Sequence, residues 1–275
     1  AFGFGDGQAG TVTDTATVSI GIQAAVDAAS GGDTVTVLAG TYEESVSVDK
    51  PVSIEAATGA TPTVDASGQG APAFDVTASG VSVDGLDIVG DTDQTAVVAS
   101  SGLTVSNSTV TVSLSNGTDA NPRGIDIRNG PAELSQTTVV GDHAGVVDSI
   151  LDVPGFIQGV NLANVDNSTL ANVTFTGELG DAVQILRSGT VNVTDSEFDG
   201  TSTVNNDTTA VNVGGSDPAV PGGTVQVTES NITSFGAALL VTDETATGVT
   251  FTQNNLENVG GLDTFGLEAV HAFAT

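Results

Sequence analysis

The sequence predicts an all-β fold: a right-handed parallel β-helix with a short N-terminal capping α-helix. Three observations carry that reading. A four-residue pattern returns in steps of 23 to 35 residues, an apolar pair spaced by five sits between its copies, and Trp, Met and Cys are all absent. Self-similarity at such a period marks a solenoid, in which each unit buries its apolar face against the next.

The first pattern is a small residue, an apolar one, any residue, then an apolar one. It reads Ala73-Phe74-Asp75-Val76, Ala96-Val97-Val98-Ala99, Gly124-Ile125-Asp126-Ile127, Gly159-Val160-Asn161-Leu162, Ala182-Val183-Gln184-Ile185 and Ala210-Val211-Asn212-Val213. Two last copies are read at Ala237-Ala238-Leu239-Leu240 and Ala269-Val270-His271-Ala272. The second pattern pairs Val83/Ile88, Val105/Val110, Leu134/Val139, Leu170/Phe175, Val193/Phe198, Val227/Ile232 and Phe251/Leu256 around turn formers such as Ser106-Asn107-Ser108-Thr109. Each turn then supplies a strand, a bend and another strand. Stacking puts Ile88, Val110, Val139, Phe175, Phe198, Ile232 and Leu256 in one apolar column. Alternation over so few residues is too short for a repeat helix, and the spaced leucines of a leucine-rich repeat are missing. About nine or ten coils are expected from this repeat length.

Composition agrees. Aromatics are only 4% of the chain and glycines number 35, which suits thin Val, Ile, Leu, Ala and Thr layers joined by tight turns. Asp and Glu number 34 against four basic residues, Lys50, Arg123, Arg128 and Arg187, for a net charge of −30. Such a chain repels itself in dilute buffer, and salt screens that repulsion. Strand periodicity excludes a disordered acidic tail, so salt adaptation is favoured, with structural calcium as an addition. A nucleic-acid partner is excluded for want of a basic footprint. Zero cysteines removes disulfides and thiolate metal sites, and no apolar run is long enough to span a membrane. No signal peptide is visible, so an exported protein is expected here in mature form. Asn-x-Ser/Thr sequons at Asn107, Asn116, Asn167, Asn172, Asn192, Asn206 and Asn231 are glycosylation candidates.

An extended segment is expected at 1–19, ahead of a single β-helix domain at 20–275. Within Ile20-Gly21-Ile22-Gln23-Ala24-Ala25-Val26-Asp27-Ala28-Ala29, the residues Ile22, Ala25, Val26 and Ala29 share one face at helical spacing. Ser30-Gly31-Gly32 ends this helical cap, at about 20–29. Thr34-Val35-Thr36-Val37 restarts the two-residue period, followed by Gly40-Thr41-Tyr42-Glu43-Glu44-Ser45-Val46-Ser47-Val48. This stretch resembles the opening of the pectin-lyase-like β-helix proteins, above all the pectin-methylesterase branch, where a short helix caps the first coil and a GTYxE-type strand follows. The resemblance covers residues 20–55, and beyond it only the coil pattern continues. It implies the fold and says little about activity.

The catalytic strings of such enzymes are missing. Gln-Asp-Thr and Asp-Phe-x-Phe-Gly do not occur, and Gln94-Thr95-Ala96-Val97 is a poor echo of Gln-Ala-Val. Asn-Thr-Asp, an Asp-Asp pair and Gly-His-Gly, expected of polygalacturonase-like hydrolases, are absent too, and Asp142-His143 stands alone. A polysaccharide lyase needs a cation beside a base. Arg128 and Arg187 leave the same repeated strand two coils apart, about 10 Å at the inter-strand spacing. That is too far for one catalytic pair, and pairing with neighbouring carboxylates is the plainer reading. Acidic runs Asp84, Asp87, Asp91 and Asp93, or Asp195, Glu197 and Asp199, are weak calcium candidates, since neither matches a known loop motif. His143 and His271 form no metal constellation. No catalytic residue and no cofactor are assigned.

Function is expected instead in variable connections, such as 140–158 and Gly214-Gly215-Ser216-Asp217-Pro218-Ala219-Val220-Pro221, and at the chain ends. Phe2 and Phe4 lie outside the repeat, and the C-terminus stops in mid-pattern at Val270 and Phe273. An uncapped parallel edge invites strand addition. The sequence therefore points to a non-enzymatic extracellular or cell-surface protein of an extreme halophile, a structural subunit associating head to tail through its ends, or an adhesin. The alternative is a polysaccharide-active enzyme (lyase or esterase type) or a glycan-binding module, with cell-surface glycans as partners.

Overall fold

The computed structural model describes residues 21–115, 120–144, 157–200, 208–214, 222–241, 246–259, 262–264 and 271–273. The chain winds as a right-handed parallel β-helix with three sheets. Among the described residues, sheet A has ten strands, from Thr34–Val37 to His271–Phe273. Sheet B there has nine, from Thr41–Tyr42 to Asn255–Glu257, and sheet C nine, from Val46–Val48 to Leu262–Thr264. Equivalent strands of successive coils pair in parallel. Each coil thus holds three strands rather than two. The five-residue apolar pair straddles the corner between sheets A and B, so its two members belong to different strands.

The expected column is present on sheet B. Ile88, Val110, Val139, Phe175, Phe198, Ile232 and Leu256 are consecutive register partners. All but the half-buried Leu256 are fully buried. Its sheet A counterpart runs Val83, Val105, Leu134, Leu170, Val193, Val227 and Phe251. Each buried Val, Leu, Ile or Phe contributes roughly 1.5–3 kcal/mol, so many thin layers replace the few large side chains of a globular core.

The four-residue pattern forms sheet C, with two corrections. Leu239 pairs with Val211 and Val241 with Val213, so the small residue of that copy is Ala238, not Ala237. A one-residue slip exchanges the faces of a strand, and the apolar run Ala237-Ala238-Leu239-Leu240 hides which face is buried. The last sheet C strand is Leu262–Thr264, whereas His271–Phe273 pairs with Thr250–Thr252 in sheet A. His271 and Ala272 therefore do not belong to a further sheet C copy of the pattern. Of the expected assembly residues, Phe2, Phe4 and Val270 lie outside the described residues, and Phe273 is the Cα partner of Thr252.

The corners explain the turn formers. Asn107, Gln136, Asn172, Asp195, Glu229 and Gln253 take left-handed backbone (φ between 48° and 58°) where sheet A bends into sheet B. The following residue points inward, and in several coils it is a buried Ser, Thr or Asn. Ser230 N donates to Asn254 Oδ1 at 2.9 Å, Ser196 N to Ser230 Oγ at 3.2 Å, and Asn254 Nδ2 to Val227 O at 2.9 Å. This polar rail satisfies backbone groups that the corner takes out of the ladders.

The helix spans Ile22–Ala28, inside the expected cap. Ile22 and Val26 are buried against the first coil. Its N-terminus is capped from the strand side: Ile22 N and Gln23 N both donate to the Glu44 carboxylate, the latter at 3.0 Å. Lys50 Nζ closes the other end on Asp27 O and Ala29 O, each at 3.1 Å. Glu44 ties the GTYEE strand to the helix.

Candidate functional site

Four consecutive sheet C strands, Arg123–Arg128, Gln158–Ala163, Asp181–Leu186 and Thr209–Gly214, carry a cluster of polar side chains, several of them buried. Ile125 and Ile127 are 0% exposed, so alternation sends Asp126 to the outer face. The partners of Asp126 in register are Asn161, then Gln184, then Asn212, one column of carboxylate and amides. A second column runs Arg123, Gln158, Asp181 and Thr209.

The two columns are knitted together. The Asp126 carboxylate, 2% exposed, accepts from Arg128 Nη2 at 2.6 Å and Arg128 Nε at 3.1 Å. It also accepts from Asn161 Nδ2 at 2.7 Å and lies 3.5 Å from Arg123 Nη1. Arg123 Nε donates to Gln158 Oε1 at 2.7 Å, and Gln158 Nε2 to Gln184 Oε1 at 2.9 Å. Asn212 Nδ2 donates to Asp181 Oδ2 at 3.1 Å. Burial pushes the Asp181 carboxyl above the usual range, against hydrogen bonds from Asn212, Thr209 and Gln158 that favour its charged form. Two acceptors are left over: buried Asn161 Oδ1 and Asn212 Oδ1 have no hydrogen-bond partner among the described residues.

Arg128, the side chain half exposed, pairs with a carboxylate as expected. Arg187 follows Leu186 at a left-handed corner (φ 48°), and Arg128 is aligned with Ala163 and Leu186, which keeps the two arginines two coils apart. Three of the chain's four basic residues thus belong to this sheet or its corner. The signal missed in the sequence was the "any" position of the repeat: it reads Asp126, Asn161, Gln184 and Asn212 in successive coils, but Val98 before them and Leu240 after.

The acidic candidates are dispersed. Asp84 accepts from Ser106 Oγ and Asn107 Nδ2, both at 2.6 Å. Asp87 is exposed on its strand. Asp91 accepts from Gly68 N, Gly70 N and Thr92 N, and the amide of Gly68 leads in holding its carboxyl below the usual range. Asp93 accepts from Ser115 N at 2.7 Å. Asp195 occupies a corner, and Glu197 and Asp199 stand exposed on one strand. Among the described residues no group of three or more His, Cys, Asp or Glu is placed to hold a metal ion. Of the sequons, Asn107, Asn172 and Asn231 are exposed, as is Asn167, Asn192 is half-buried on sheet A, and Asn116 and Asn206 lie outside the described residues. No helix among the described residues is long and apolar enough to cross a membrane.

No protein-family model matches the sequence, and no curated protein matches it. Solved structures do. A pectate lyase, Pel9A, superposes over 92% of this chain and 73% of its own, with a TM-score of 0.61 and 13% identity. The fold is a pectin-lyase-like parallel β-helix. Escherichia coli YbhC covers 90% of this chain and 83% of its own (TM-score 0.46, 14% identity). A pectin methylesterase variant in complex with a hexasaccharide covers 92% of this chain and 79% of its own (TM-score 0.44, 12% identity). At such identities the pectin-lyase-like likeness is one of fold and assigns no residue a role.

Proposed function

We propose that this chain is a non-catalytic extracellular or cell-surface β-helix protein suited to high salt, which holds a glycan on the outer face of sheet C. The observation that carries this reading is the knitted network from Arg123 and Arg128 to Asn212. It gathers scarce basic residues, amides and two carboxylates on one face of a chain that is otherwise acidic. The connections 116–122, 145–157 and 201–208 lead from sheet B into three of the four strands that carry this network. Variable connections beside a rigid solenoid face are where binding surfaces are built.

Paired-carboxylate hydrolysis is disfavoured by spacing. Asp126 and Asp181 are two coils apart and three residues out of register, a backbone separation of about 14 Å at the usual strand spacing and rise. Paired-carboxylate hydrolysis works at roughly 5–9.5 Å, and Asp126 is already engaged by two arginines and an amide. The test is incubation of the protein at molar salt with immobilised and soluble polysaccharides. Retention on one of them, without new reducing or unsaturated ends, is expected. Product release, or retention unchanged in Arg128→Ala, overturns the reading.

Self-association through the chain ends is a separate proposal, favoured by the final sheet A strand His271–Phe273, whose sole pairing among the described residues is with the preceding coil. Deleting residues 1–12 tests it: assembly unchanged by microscopy and scattering would rule it out.

A further inference from the structure

The two leftover acceptors define what the sheet C ligand must offer. Asn161 Nδ2 is committed to Asp126 and Asn212 Nδ2 to Asp181, so neither amide turns over without setting its oxygen against a carboxylate. Asn161 Oδ1 and Asn212 Oδ1 therefore face away from those carboxylates, buried and, among the described residues, without a donor. Asn161 is only 2% exposed. A buried acceptor left unpaired is costly, and such atoms in a folded protein call for an explanation, a missing ligand among them.

Resting on the glycan reading above, we infer that the ligand is a neutral, hydroxyl-donating glycan segment that spans both oxygens, and not a uronate. Three chemistries compete for an acceptor. A carboxylate or sulfate brings no donor and meets the carbonyls together with Asp126 and Asp181. An amine brings donors but also a charge, next to Arg123 and Arg128. A sugar hydroxyl donates without charge and fits between the two. The span sets the size: Asn161, Gln184 and Asn212 occupy successive coils, so the oxygens are about 10 Å apart at the inter-strand spacing. Gln184 Oε1, between them, already accepts from Gln158. The ligand needs donors at both ends of that interval, which a single ring does not supply. An oligosaccharide lying along the helix axis does.

Calorimetric titration in molar NaCl, where long-range charge effects are screened, tests this with three probes: cellohexaose, mannohexaose and hexagalacturonate. At least one neutral hexasaccharide is expected to bind, and the uronate at least tenfold more weakly. Asn212→Leu is expected to weaken neutral binding by about tenfold, the size of one net hydrogen bond. The same variant removes the donor to Asp181 along with the unpaired acceptor, so the free protein is expected to stay folded with a modestly lower melting temperature at neutral pH. Uronate binding in preference to both neutral probes overturns the ligand class and leaves the glycan reading standing. Failure of all three probes to bind takes down both. Undiminished neutral binding by Asn212→Leu, or a crystal structure with saccharide in which both oxygens contact ordered water only, overturns the inference.

Discussion

The side-chain amide of Gln23 sits on Ser47 as a neighbouring strand would: Gln23 Oε1 accepts from Ser47 N at 2.6 Å, and Gln23 Nε2 donates to Ser47 O at 3.3 Å. Ser47 belongs to Val46–Val48, the first strand of sheet C among the described residues, whose outer edge pairs with no other described strand. Gln23→Ala is expected to lower stability by about 1–2 kcal/mol in denaturant titrations. It should also produce concentration-dependent association in light scattering at molar salt. A variant that stays as dispersed as the parent would show that the edge needs no plug.

Phe175 and Phe198 stack in adjacent coils with ring centroids 4.9 Å apart and planes 14° from parallel. Phe198→Ala is expected to cost about 3–5 kcal/mol, a large share of the roughly 5–15 kcal/mol of a typical domain. Phe198→Leu should cost about 1.5 kcal/mol or less. Because each coil touches only its neighbours, the loss of amide-exchange protection in Phe198→Ala should centre on the strands of Phe175 and Ile232 and fade beyond them. Loosening spread evenly along the molecule contradicts a stacked column.

These columns were legible because apolar residues at fixed spacing leave a trace in one dimension. Strand number per coil was not: turn formers such as Asn107 and Ser108 marked the A-to-B corner, but that corner takes only two residues, and the strands on its two sides were not separated from the third strand of the coil. The sheet C face was hidden for another reason. Asp126, Asn161, Gln184 and Asn212 fall at a position the repeat leaves free, and separate polar residues read as solvated surface until stacking brings them into register. Arg123 was visible only as a spare cation, since its link to Gln158 spans 35 residues.

Asp181 gives a pH signature. Its native carboxyl is raised above 3.8 by burial, so the native state holds the proton more tightly than the unfolded chain. The stability that comes with the bound proton is full below the unfolded value and is lost as pH rises through the native one. Asp181→Asn keeps the acceptor for Asn212 and removes the buried charge. The variant is expected to melt at nearly the wild-type temperature near pH 3, and above it at neutral pH. An offset that stays constant across that range contradicts the assignment.

Net charge of −30 predicts a strong dependence on ionic strength. The melting temperature should climb as the Debye length falls from about 10 Å at 0.1 M salt to about 3 Å at 1 M, then level off. NaCl and KCl should act alike at equal concentration. A melting temperature independent of salt would remove the support for a high-salt setting.

The polar rail inside the A-to-B corner gives the molecule a direction. Ser196, Ser230 and Asn254 each receive or pass a hydrogen bond from one coil to the next, and the helix with Glu44 and Lys50 clamps the opposite end. Opening then proceeds like a zipper with one end sewn shut. Under a pulling force applied lengthwise, the coils should peel away in order toward the helix, each step releasing about one coil's worth of chain.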